Sequence, residues 1–187
     1  KPKGVMLEHR GAVNLVFASS RDHGIGVGLN AIVMSEYTFD STVDEFFRSV
    51  LFGATIHVIP RDVLLDIRLL RRFIDERQVN YIDSVPSLLD ELLGYDEKLR
   101  SIRGVIAGAD VLTETVKDRI LEKGYTLYNH YGPTEMTVDA LCGHMGHGKV
   151  SLGHPIVNTR CYVLDEYMKP VSIGTPGELY LTGPGMA

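Results

Sequence analysis

Cysteine is scarce in the 187 residues: Cys142 and Cys161 are the only two, and no Cys-x-x-Cys pair occurs. A disulfide scaffold and a cysteine-based zinc module are therefore excluded. Two free thiols in a reducing, cytoplasmic setting is the simplest account, with a single disulfide as the alternative. Basic charge is also short. Against 24 Asp and Glu there are 19 Lys and Arg, a formal net charge of −5, which argues against a nonspecific nucleic-acid binder. The densest basic group, Arg68, Arg71 and Arg72, reads as one solvated helix face. No secretory signal and no apolar run long enough to cross a membrane is present. Gly-x-Ser-x-Gly, a complete Walker loop and Gly-x-Gly-x-x-Gly on a strand–helix turn are all missing, so hydrolase, P-loop and dinucleotide readings have no motif behind them. His144 and His147 stand three apart, but in a glycine-rich run without a third ligand, which reads as a loop and not as a metal site.

What remains is an ordinary globular composition, 44% apolar and 23% charged, of a length that suits one core. The hydrophobic spacing predicts helices over 12–17, 41–51, 65–76, 87–93 and 113–123. It predicts strands over 31–35, 54–59, 81–85, 102–107 and 125–128. In the helix at 41–51, Val43, Phe46, Phe47, Val50 and Leu51 form the apolar side. Alternation of this kind implies an α/β fold, a mostly parallel sheet with crossover helices, over residues 1–149. From 150 to 187 the texture changes to alternating strand-like runs at 160–164 and 177–182, the start of a β-rich subdomain. Both chain ends read as cut through structure, so the expectation is a fragment of a larger domain.

Ligands of open α/β sheets sit beyond the C-terminal ends of the strands, and polar residues gather there. Asp40 follows Phe39, Asp83 and Ser84 precede Pro86, and Gly108-Ala109-Asp110 follows Ala107. After the strand expected to end at Tyr128 comes Asn129-His130-Tyr131-Gly132-Pro133-Thr134-Glu135. Its Gly-Pro turn can hold Thr134 and Glu135 toward a phosphate and Mg²⁺, which takes oxygen ligands. An ordinary loop that satisfies its own backbone is the competing reading.

That stretch, the opening Lys1-Pro2-Lys3-Gly4-Val5-Met6-Leu7-Glu8-His9, Phe39-Asp40-Ser41, and Gly177-Glu178-Leu179-Tyr180-Leu181-Thr182-Gly183 resemble, in order and spacing, four motifs of the adenylation domains of nonribosomal peptide synthetases. These belong to the adenylate-forming superfamily with acyl-CoA synthetases and firefly luciferase. The resemblance implies that the chain is a central piece of an ATP-dependent ligase that makes aminoacyl-AMP. The acyl group would then pass to a phosphopantetheine thiol on a peptidyl carrier domain. It implies that Asp40 pairs with the substrate α-ammonium and that Asn129, Tyr131, Gly108 and Ala109 surround the adenine. Thr134 would touch the phosphates and Glu135 would hold Mg²⁺. The family's phosphate loop, ribose aspartate and catalytic lysine fall outside these residues, so missing parts of the same domain are expected partners and little turnover is expected without them.

Carried over position by position, the family's side-chain pocket is Asp40, Ser41, Asp44, Asp83, Val105, Ala107, His130, Val138 and Asp139. Asp44, Asp83 and Asp139 crowd negative charge, and carboxylates in a poorly hydrated pocket repel one another unless a cation joins them. A cationic substrate side chain, diamino or guanidino, follows; a small polar substrate is the alternative if some of the aspartates point elsewhere. An acyl- or aryl-CoA ligase and a noncatalytic amino-acid or nucleotide-binding module remain competing functions.

Overall fold

Caps mark where several elements begin or end. In the computed structural model, which describes residues 4–187, α1 (His9–His23) ends where Gly24 turns left-handed at φ 64°, a conformation that costs glycine little. It is followed by β1 (Asn30–Val33), α2 (Ser41–Leu51), β2 (Thr55–Val58), α3 (Arg61–Leu64) and α4 (Ile67–Glu76). The Asp66 carboxylate caps α4 by accepting from the Arg68 and Leu69 amides at 2.9 and 3.2 Å. Next come β3 (Tyr81–Ser84), α5 (Pro86–Leu93), which opens on proline, β4 (Gly104–Ala107) and α6 (Glu114–Glu122), capped by Thr113. Then follow β5 (Leu127–Tyr131), a 3-10 turn at Thr134–Met136, β6 (Leu141–His144), β7 (His154–Pro155), β8 (Arg160–Leu164) and β9 (Glu178–Thr182).

Seven strands form one sheet in the order β2-β1-β3-β4-β5-β6-β7, and β8 and β9 form a separate antiparallel pair. The five strands from β2 to β5 run parallel, while β6 and β7 add antiparallel at one side. The fold is thus α/β with a mixed sheet and interleaved helices. The main core lies under β1, β3, β4 and β5, where Leu70, Ile74, Ile82, Leu89, Leu92, Val105, Ala107 and Leu127 are buried. No helix among the described residues is long and apolar enough to cross a membrane.

Four details differ from the sequence-based expectations. The helix expected over 65–76 is two, broken between Leu64 and Ile67, because the Asp66 side chain caps the second one and so ends the first. The strand at 125–128 instead covers Leu127–Tyr131, so Asn129 and His130 are ladder residues: each pairs with β6, a strand hidden in the sequence by its glycine. Arg71 is not solvated. Its guanidinium is buried, donates to the carbonyls of Leu92 and Glu97 and lies 4.4 Å over the Tyr95 ring. The largest difference is α2, which is packed the other way round: Asp44, Glu45, Arg48 and Ser49 are buried against the sheet, whereas Phe46, Phe47, Val50 and Leu51 are exposed. The Lys1-Pro2-Lys3 part of the opening motif lies outside the described residues.

Candidate functional site

A cavity of about 240 Å³ opens at the C-terminal ends of β1, β3, β4 and β5. This is where an open parallel sheet leaves a crevice. Its walls include Phe39, Asp40, Ser41, Asp44, Asp83, Gly108, Ala109, His130, Val138 and Asp139. Apart from Phe39, all of these are expected site residues, and Asp40 joins them to the turn after β5. Val105 and Ala107 do not line the cavity: both point into the main core and are fully buried there. Strand alternation sends neighbouring residues to opposite faces, and the core face holds these two.

At the mouth, the Thr134 hydroxyl donates to Asp40 Oδ2. Asp40 is half-buried just before α2, and Ser41 donates its hydroxyl to Ser35 Oγ at 2.8 Å. Thr134 and Glu135 stand exposed on the 3-10 turn. The chain leaves this turn through Thr137 and Val138, at φ 56° and 70°. Positive φ is a strained state for a β-branched residue, and here it turns Val138 and Asp139 back toward the cavity.

Beneath the mouth is a buried network of ion pairs. Arg48 Nη1 donates to Asp44 Oδ2 at 2.6 Å, and Nη2 donates to Asp83 Oδ2 at 2.9 Å. Ser19 adds a hydroxyl bond to the same Asp44 oxygen at 3.0 Å. On the other side, His130 Nδ1 meets Asp139 Oδ2 at 2.7 Å, and His130 Nε2 meets His23 Nε2 at 2.9 Å. Burial pushes the Asp44 carboxyl up to about 6 against the pull of Arg48, and raises Asp83 for the same reason. Glu45, whose carboxylate accepts from the Met34 amide at 2.7 Å, is pushed up to about 7 by burial and by Asp83. Burial is the largest influence on His130 and works against its charge, but Asp139, Asp83 and Asp44 together raise that imidazole. His23 is pushed down to about 2 by burial and then by the charges of His130 and Arg48.

The two shifts run in opposite senses, so of the two rings His130 is the one that favours the proton. When charged, it donates from Nδ1 to Asp139 and from Nε2 to His23. His23 is neutral, accepts at Nε2 and carries its hydrogen on Nδ1, which has no partner among the described residues. The aspartates expected to repel one another are therefore already joined by cations. Sequence reasoning misses Arg48, although its spacing of four from Asp44 on one helix is legible. His23, 107 residues from His130, has no local signal.

A second cavity adjoins the first and shares Ala109, His130 and Gly132 with it. Asp110, Val111, Leu112, Asn129, Tyr131, Val150 and Leu152 complete its wall. Asn129 is held in place by donating to the Ser151 carbonyl at 2.9 Å.

Comparison with known proteins identifies the family. The family model described as AMP-binding enzyme matches residues 1–187. The chain is 34% identical over 195 residues to malpinin synthetase of Mortierella alpina, covering all of this chain and 2% of that protein. With bacitracin synthase 1 of Bacillus licheniformis it shares 33% over 202 residues, the whole chain and 4% of the relative. With gramicidin S synthase 2 of Brevibacillus brevis the identity is 32% over 197 residues, again all of this chain and 4% of the other. The chain thus spans a few per cent of the length of these relatives. Among solved structures, a four-domain nonribosomal peptide synthetase bound to AMP and glycine superposes with a TM-score of 0.92 at 28% identity, over 100% of this chain and 14% of that one.

Proposed function

The chain belongs to the AMP-binding enzyme family, and from that premise we propose that the protein carrying it activates an amino acid with ATP. The products are aminoacyl-AMP and pyrophosphate, and the acyl group then passes to the phosphopantetheine thiol of a carrier-protein domain. The observation that carries this reading is the pair of adjoining cavities with a shared wall of Ala109, His130 and Gly132. One is lined by carboxylates and suits an amino acid. The other, with Tyr131, Val150 and Leu152, suits a purine. A crystallised relative holds AMP and glycine, the same two classes of ligand.

Attack of the substrate carboxylate on the α-phosphorus needs no covalent enzyme intermediate, so the residues chiefly have to place two anions side by side. Asp40 would take the α-ammonium, leaving the carboxylate turned toward the nucleotide. Asn129, Tyr131, Gly108 and Ala109 would hold the adenine, and Thr134 would donate to a phosphate oxygen. Glu135 is an exposed carboxylate beside that hydroxyl, which fits a Mg²⁺ ligand. The ion would supply neutralisation of phosphate charge. Further parts of the same adenylation domain are the proposed cover for the apolar groove between α1 and α2, walled by Val13, Val16, Val43, Phe47 and Leu51.

The side chain of the amino acid is proposed to be cationic. Asp44, Asp83 and Asp139 line the cavity against two built-in cations, Arg48 and His130. Glu36 and Asp40 share the wall, so the carboxylates outnumber these two groups and leave negative charge for a substrate to meet. The three acidic groups also disfavour an apolar acid of the acyl- or aryl-CoA ligase kind. Amino-acid-dependent exchange of labelled pyrophosphate into ATP tests the proposal. Exchange with one amino acid supports it, exchange only with a fatty or aromatic acid selects the CoA-ligase reading, and binding without exchange selects a noncatalytic module.

A further inference from the structure

Each of the three cavity aspartates has spent one oxygen inside the protein and kept the other. Asp44 gives Oδ2 to Ser19 and Arg48, Asp83 gives Oδ2 to Arg48, and Asp139 gives Oδ2 to His130. Among the described residues, no hydrogen-bond donor reaches the Oδ1 of any of them. The case of Asp44 is the most telling, because its side chain is only 2% exposed and its Oδ1 is buried without a partner. A buried, unanswered carboxylate oxygen on the wall of a cavity is costly to a protein unless a ligand answers it.

We propose that this cavity floor receives a primary ammonium: the substrate is an α-amino acid whose side chain ends in –NH₃⁺, of the ornithine or lysine kind, in preference to a guanidinium. The inference rests on the amino-acid-activating reading and narrows it. An ammonium is a compact point charge with three rotatable donors, which suits single oxygens offered by separate carboxylates. A guanidinium is a planar fork that binds best when it takes both oxygens of one carboxylate. No aspartate here has both free. Arg48 already lies across Asp44 and Asp83, so a second guanidinium would also press one fixed positive plane against another. Charge agrees in sign: with Glu36 and Asp40 also on the wall, the carboxylates outnumber Arg48 and His130. Arg48 is thereby a specificity-determining residue that acts through the aspartates it holds.

The test is the pyrophosphate exchange assay on the full-length protein with ornithine, lysine, arginine, citrulline and norleucine, followed by the rest of the proteinogenic amino acids. Ornithine or lysine is expected to exceed arginine in kcat/KM by about tenfold or more and norleucine by about a hundredfold, since a site built to bond a donor strongly rejects the analogue lacking it. A preference for arginine overturns the ammonium assignment. Preference for citrulline, norleucine or another neutral side chain overturns the charge assignment, and both results leave the activating reading intact. No exchange with any amino acid, although ATP binds, rejects the activating reading and this inference with it. In Asp44→Asn the ratio of lysine or ornithine to norleucine is expected to fall about tenfold. A ratio unchanged while both rates drop together would give Asp44 a structural role only and overturn its part in the ammonium site.

Discussion

Arg48 and Asp44 stand one turn apart on α2, and their 2.6 Å contact faces the sheet, not the solvent. A pair at this spacing on a helix surface contributes a few tenths of a kcal/mol. Buried as it is, with Asp83 as a third member, it follows another rule: assembling it gains little, but removing one partner strands charge in a poor solvent.

Arg48→Met is therefore expected to destabilise the protein by about 3–5 kcal/mol, the usual cost of breaking a buried pair from one side. Arg48→Met combined with Asp44→Asn and Asp83→Asn is expected to recover most of that loss. Urea denaturation of the single and triple variants reads both values.

Asp40→Asn removes the carboxylate at the cavity mouth while keeping an acceptor for Thr134. A charged hydrogen bond to an ammonium is worth about 1.5–3 kcal/mol, so KM for the amino acid is expected to rise about ten- to hundredfold. KM for ATP stays unchanged. Titrating each substrate separately in the exchange assay distinguishes this from a general loss of structure.

Acid stability bears the mark of His23. Its imidazole is held neutral down to about 2 by burial and by His130 and Arg48, with the Tyr128 ring against it. In the unfolded chain it protonates near its ordinary value of 6.5. A depressed folded value means stability that is present above pH 6.5 and lost as pH falls below it, at up to about 1.4 kcal/mol per pH unit. Asp44 and Glu45 have raised carboxyls and act in the opposite sense over part of this range. His130 is raised, so its contribution is lost only as pH climbs above 6.5. The clean readout is a difference: His23→Gln, which retains an acceptor for His130, is expected to gain on the parent protein steadily between pH 6.5 and 5.

Gly132 allows the turn that carries Thr134 to cross the strand end. A Cβ there would stand 2.7 Å from the Ala140 amide nitrogen and 2.8 Å from Asp139 Cα, both backbone atoms. Gly132→Ala is expected to cost about 1–3 kcal/mol through this overpacking and to raise KM for both substrates, because the residue borders both cavities. Thermal unfolding and the exchange assay measure the two effects.

Element positions were largely legible because apolar spacing and caps are local. The bounds of α2 and β8 coincide with the expected ones. The face of α2 was not legible: hydropathy assigns Phe46 and Phe47 to a core, whereas the helix turns its charged stripe inward. Partners on other elements, Ser19 for Asp44, Asp83 for Arg48 and the Met34 amide for Glu45, make that stripe soluble in the interior. For the same reason the aspartates could be named from their motif, but the charge they present could not. Arg48 answers two of them from within, and His23 reaches His130 only through the fold. Asn129 illustrates a simpler limit, since nothing in the Gly143-containing segment announces the strand that extends β5 past Tyr128.

Because one guanidinium bridges two aspartates on different elements, the cavity lining cannot drift one position at a time. Replacing Asp44 alone leaves Arg48 with half its counter-charge, and replacing Asp83 alone does the same from the other side. A lineage or a library that samples single substitutions meets an unstable intermediate at each first step. This part of the lining thus changes only as a block of three residues, and a redesign has to exchange the block whole.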